Sequence, residues 1–229
     1  MKALAGSLFT FALVAALPSA TAATTSFNFT CITNNGALCS APGVPAAGFA
    51  LQVSDTVPGP GFADFTFQNI SSSGAITQIY FDTNNGPTVR LASIISVTSS
   101  IGASFAIDGS PGFPPGGTAI NWGNNGTTDF EVSATSQGGV SNNGVNIGEF
   151  VTVRFGLNPG VSYAALISSF GNPSLGASRV GVRIQSLPGG TSESLYATPS
   201  TTVVPLPAAL PLMLGGLLGL GLLGRRRAA

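Results

Sequence analysis

Between residues 24 and 202 the apolar side chains recur mostly at every second position, and that period excludes helical architectures for nearly the whole stretch. Successive side chains of a strand leave opposite faces, so a period of two marks strands with one buried face, whereas a helix needs a period near 3.6. Phe27, Phe29 and Cys31 fall on one face, as do Phe49, Leu51 and Val53. Phe65 and Phe67, then Ile79 and Phe81, repeat the pattern, followed by Phe130, Val132 and Ala134 and by Val151, Val153 and Phe155. Val180, Val182 and Ile184 point one way while Arg179 and Arg183 point the other. Clusters of Gly, Pro and Asn at 58–61, 111–117 and 121–126 punctuate the runs as turns, and only residues 162–170 carry helical spacing. No fixed repeat is present, which disfavours solenoids and propellers. The expectation is an all-β body at 23–197, a single jelly-roll-like β-sandwich large enough to hold its own core.

What lies between the apolar positions is unusual for its lack of charge. Charged residues make up 7 % of the chain, and Gly, Ser, Thr and Asn fill the gaps. The body holds Arg90, Arg154, Arg179 and Arg183 against eight carboxylates, a net charge near −4 that speaks against nucleic acid as a partner. Cys31 and Cys39 are the only cysteines. In an oxidising compartment such a pair forms one disulfide around a turn; two thiols and no histidine supply too few ligands for a zinc tetrahedron.

The two ends differ from the body. Lys2, the apolar residues 4–17 and the small-residue site Ala20-Thr21-Ala22 are read as a secretory signal peptide over 1–22, cut after Ala22. Residues 198–203 are read as an extended linker. The tail, 204–229, joins Val204, Pro205, Leu206, Pro207 and Ala208 to an uncharged run at 208–223 and to Arg225, Arg226 and Arg227. As a helix that run reaches about 24 Å, short for a hydrocarbon core of about 30 Å, and snorkelling arginines would complete one transmembrane helix. The arginines place the C-terminus in the cytoplasm and the body outside. Gly219, Gly221 and Gly224 spell GxGxxG without the strand-turn-helix setting of a nucleotide site, and Gly215 and Gly219 spell a GxxxG pair that would let two helices approach closely, although glycine is simply frequent in membrane spans.

Motif, apolar span and basic end, in that order, resemble the PEP-CTERM class of bacterial sorting tails in its Val-Pro-Leu-Pro-Ala variant. The resemblance implies that an exosortase, a membrane-embedded protease-transpeptidase, is a processing partner. It implies an inner-membrane-anchored precursor whose body passes to the cell surface or an exopolysaccharide matrix. Residues 76–82, 143–149 and 183–194 are similar to stretches that recur in one group of exosortase-sorted surface proteins, a likeness that bears on location and fold without supplying chemistry.

Chemistry is sparse. Without histidine, Ser-His-Asp and Cys-His nucleophile systems and HExxH zinc sites are removed. Asp129 and Glu131, two residues apart on one strand, share a face and are the carboxylate pair a glycosidase would need, although an exposed strand face explains them as solvation. The run Asp82-Thr83-Asn84-Asn85-Gly86 offers oxygen ligands for calcium but lacks the closing glutamate of an EF-hand, and an Asx-rich hairpin turn accounts for it. Trp122, flanked by Asn121, Asn124 and Asn125, is the candidate sugar contact; a core indole is the alternative. Asn28, Asn69 and Asn125 begin glycosylation sequons, which the bacterial origin implied by the resemblance of the tail makes coincidental in most cases. The expectation is a non-catalytic structural or adhesive surface or matrix protein without cofactor. A carbohydrate-binding module at the envelope and a matrix glycoside hydrolase are the alternatives.

Overall fold

The strand periods translate directly into ten antiparallel strands. The computed structural model describes residues 23–35, 38–55, 61–70, 72–82, 90–122, 129–137, 139–170 and 178–200. Its strands are β1 (Thr24–Cys31), β2 (Pro45–Ser54), β3 (Phe62–Asn69), β4 (Ala75–Asp82), β5 (Leu91–Ser99), β6 (Phe105–Ile107), β7 (Phe130–Ala134), β8 (Phe150–Leu157), β9 (Arg179–Leu187) and β10 (Thr191–Pro199). A short helix, α1 (Tyr163–Ser169), sits between β8 and β9. Each inward set named from the sequence is inward here: Phe29, Val53, Phe65, Phe67, Phe81, Val153, Phe155 and Val182 are completely buried.

The all-β reading holds, but the two-sheet sandwich gives way to one sheet. Its strand order is β5-β8-β3-β2-β1-β10-β9-β4-β7-β6, and hydrogen bonding is continuous through the middle, where a sandwich would need a break. The sheet curls until it is nearly closed into a barrel, with β5 beside β6. Rings from distant strands therefore meet inside: Phe65 of β3 and Phe81 of β4 at 5.3 Å, Phe81 and Phe155 of β8 at 4.6 Å, and Phe155 and Phe130 of β7 at 5.2 Å. Edge-to-face pairs of this kind add about 0.5–1.5 kcal/mol each beyond burial.

Irregularities in the ladders supply the curl. Register shifts interrupt the β1–β2, β9–β10, β4–β9 and β5–β8 pairings, and a bulge bends its strand and increases the local twist. The largest of these shifts is between β1 and β2, where Phe27 faces Leu51 but Phe29 faces Ala46. Gly48, at φ 89°, lies within it, and its carbonyl accepts the Ile70 N–H at 2.8 Å. A side chain at that φ would be strained.

Helix α1 plugs one end of the barrel. Ser162 caps it by accepting the Ala165 N–H at 3.1 Å. The Tyr163 hydroxyl donates to the Val53 carbonyl at 2.6 Å, Leu166 is fully buried, and Phe170 stands edge-on to Phe27 and Phe65. Cys31 and Cys39 form the expected disulfide, with Cα atoms 6.0 Å apart. β10 continues through Pro199, so the first two residues of the expected linker are strand, Thr198 opposite Asn28 and Pro199 opposite Phe27. Among the described residues no helix is long and apolar enough to cross a membrane. The signal segment 1–22, the motif at 204–208, the apolar run at 208–223 and the arginines at 225–227 lie outside the described residues.

Candidate functional site

Because Ile79, Phe81, Val132 and Val182 face the core, their neighbours Tyr80, Glu131 and Gly181 must face outward. Outward residues normally meet water, yet Tyr80 and Glu131 are each 2 % exposed. The segment 108–122 is tied down over this outer face. Glu131 holds one side of it: Oε2 accepts the Gly112 N–H at 2.7 Å, and its carbonyl accepts the Asp108 N–H at 2.9 Å. Oε1 accepts from the Gln78 amide at 2.8 Å and from the Ser133 hydroxyl at 3.0 Å. A buried carboxylate needs such donors to offset its lost hydration.

Trp122 holds the other side. Its indole lies on Gly181, so close that a Cβ built there would stand 2.8 Å from Cη2 and 3.1 Å from Cζ3. The Arg179 guanidinium donates to the Ile120 carbonyl, closing the same end. Burial lowers Arg179 from its ordinary value, opposed by Asp82 across the β4–β9 ladder. Burial likewise pushes the Tyr80 hydroxyl well above the usual tyrosine range, and the neighbouring Glu131 carboxylate adds to it. Trp122 is thus 1 % exposed, and the sugar contact expected of it meets instead the core placement that a lone Trp also allowed.

The other sequence candidates are dispersed. Asp129 lies at the bend before β7, half-buried, with its N–H on the Phe81 carbonyl, while Glu131 is beneath the covering segment. Asp82 ends β4 fully buried; residues 83–86 of that turn, and Asn124 and Asn125, lie outside the described residues. Asn69 is 1 % exposed, its amide donating to the carbonyls of Ser72 and Gly74, so that sequon is a loop brace. Among the described residues no group of three or more His, Cys, Asp or Glu could hold a metal ion. An open depression of about 610 Å³ beside Phe62, Leu157 and Val161 is lined by no titratable side chain.

The opposite outer face carries a pattern the sequence did not reveal. Across β1, β2, β3, β8 and β5 the ladders align Ser26 with Gln52, Gln52 with Thr66, Thr66 with Thr152 and Thr152 with Thr98. The hydroxyls of Thr66 and Thr152 are 2.9 Å apart. In the next row Arg154 grips Asp64 with a two-pronged contact, 2.7 and 2.8 Å, which raises Arg154 above its ordinary value. On the other side of the hydroxyl row, Gln68 stands opposite Phe150, which is 40 % exposed. Alternation identifies these residues as outward; only register shows that they adjoin.

Compared with known proteins, the chain matches no family model, no curated protein and no solved structure.

Proposed function

We propose that the chain is an exported protein, delivered by its C-terminal tail to the cell surface or an exopolysaccharide matrix, with a non-catalytic structural or adhesive body. The observation that carries this reading is the pairing of Cys31 with Cys39, the only two cysteines, a bond that persists outside the reducing cytoplasm. In the precursor, residues 208–223 cross the inner membrane as one short helix stopped by Arg225, Arg226 and Arg227, and an exosortase cuts near Val204 to Ala208. The non-catalytic assignment is supported by Glu131: the carboxylate, one of the pair the sequence offered for acid–base work, accepts from Gln78 of β4, from Ser133 of β7 and from the Gly112 N–H of the covering segment.

Intact-mass measurement of the surface-released protein tests the reading. The expected species begins at Ala23, ends close to the motif, lacks the three arginines, and has its two thiols joined. A surface form that keeps Arg225 to Arg227, or a protein recovered reduced from the cytosol, overturns it.

A further inference from the structure

We propose that the outer face of β2, β3 and β8 binds an uncharged polysaccharide, with Phe150 as the stacking ring and Gln68, Gln52, Thr66 and Thr152 as the hydrogen-bonding groups. This deepens the reading above, resting on it only for display of the body outside the cell. An exposed aromatic beside amides and hydroxyls is the chemistry that recognises a sugar, whose ring has apolar faces and a polar rim. Trp122 was the sequence candidate for that part, and burial removes it. Phe150 meets the requirement, since it is 40 % exposed, Gln68 is its cross-strand partner, and the row of Thr66 and Thr152 is the next on the same face.

Three properties separate this face from an ordinary solvated one. Its two threonines are stiff: threonine has restricted χ1, and Thr66 and Thr152 already hold each other at 2.9 Å, so binding orders little at the centre of the row, and only Gln52 and Gln68 lose rotamer freedom. Neighbouring strands lie about 4.8 Å apart, close to the length of one pyranose unit, so a chain running across the strands meets a polar group at each successive sugar. The third property is charge. The two charged side chains of the adjoining row, Asp64 and Arg154, are joined in their two-pronged contact with Arg154 the more exposed, and the body's net charge near −4 leaves an anionic polymer no overall attraction. A neutral polyhydroxyl chain loses nothing by that charge.

The test uses the full chain in mild detergent, passed over cellulose and dextran as uncharged probes and alginate as an anionic one. The expected result is retention on at least one of the glucans and weaker retention on alginate. Phe150→Ala, Gln52→Lys, and Thr98→Lys, which sets an ammonium on β5 beside Thr152 at the edge of the face, should each lower retention about tenfold. Phe113→Ala, which removes an exposed ring from the covering segment on the other side, should not. Unchanged thermal unfolding of the two lysine variants shows that the fold is intact. Absence of retention on both glucans overturns the proposal. So does a loss with Phe113→Ala as large as with Phe150→Ala, stronger retention on alginate, or a change in oligomeric state on Phe150→Ala without glucan binding. Glucan retention by a protein that keeps Arg225 to Arg227 in cells leaves this proposal standing while the sorting reading falls.

Discussion

Gly181 shows how one missing methyl group shapes a site. With no Cβ it lets the Trp122 indole lie on β9, which runs between β4 and β10, and a Cβ there would also stand 3.3 Å from the Leu195 carbonyl. Gly181→Val should therefore cost about 1–3 kcal/mol through overpacking. Trp122 is the chain's single tryptophan, so its fluorescence reports the displacement without ambiguity. We expect a red-shifted emission together with a lower denaturation midpoint; a variant with unshifted emission would mean that the indole is not seated there. Tyr80 makes a second residue-level prediction. Its hydroxyl is raised by burial, and Tyr163 is raised in the same way, though its bond to Thr25 opposes the shift. Below the ordinary tyrosine value of about 10 both states hold the proton and stability does not change. Above it the unfolded chain ionises first, so stability falls as pH rises, by up to about 1.4 kcal/mol per pH unit for a fully buried group and less for the partly exposed Tyr163. Urea midpoints followed from about pH 9 to 11 should decline, and Tyr80→Phe should remove most of the slope.

At the scale of elements, the sequence was most informative where structure is local. The spacing of residues 162–170 predicted a helix, and α1 forms with the Ser162 cap that its composition allows. The turn between Cys31 and Cys39 was equally legible, because eight residues of separation leave few ways to close the pair. In the chain-entropy account a loop of that size is worth about 2.5 kcal/mol. Replacing both cysteines by serine should lower stability by roughly that amount in a urea titration, while an unaltered midpoint would show that the bond is not formed. The covering segment was not legible. Residues 111–117 looked like an ordinary Gly/Pro turn, yet they belong to a strap fastened at Glu131 and Trp122, and nothing in a turn signal says what the turn lies against. Glu131 shows the same limit: alternation puts it on the outer side of β7, and the strap then buries it.

For the whole molecule, the decisive contact joins the two ends of the described body. β1 pairs with β10, Phe29 opposite Ala197 and Cys31 opposite Leu195, and this seam makes one sheet of what would be two half-sheets. Glu193 reinforces it by accepting from the Thr33 hydroxyl at 2.5 Å and the Asn35 N–H at 2.6 Å. Removing residues 191–200 should abolish cooperative unfolding, since β1 and β9 would become open edges in mid-sheet and Leu195 and Ala197 would leave the core. Near-UV circular dichroism through a thermal ramp checks this, and a sharp transition in the shortened chain would refute it.

By itself the sequence settled which side of each strand is greasy, where the short helix lies, and which two sulfurs join, because those depend on neighbours along the chain. The tertiary structure alone decided that the strands make one curled sheet, that Trp122 and Glu131 are roofed over, and that Ser26, Gln52, Thr66, Thr152 and Thr98 line up in a row. The reason is physical: a period of two is a property of one strand, whereas register, curl and covering come from bulges and contacts between residues far apart in sequence.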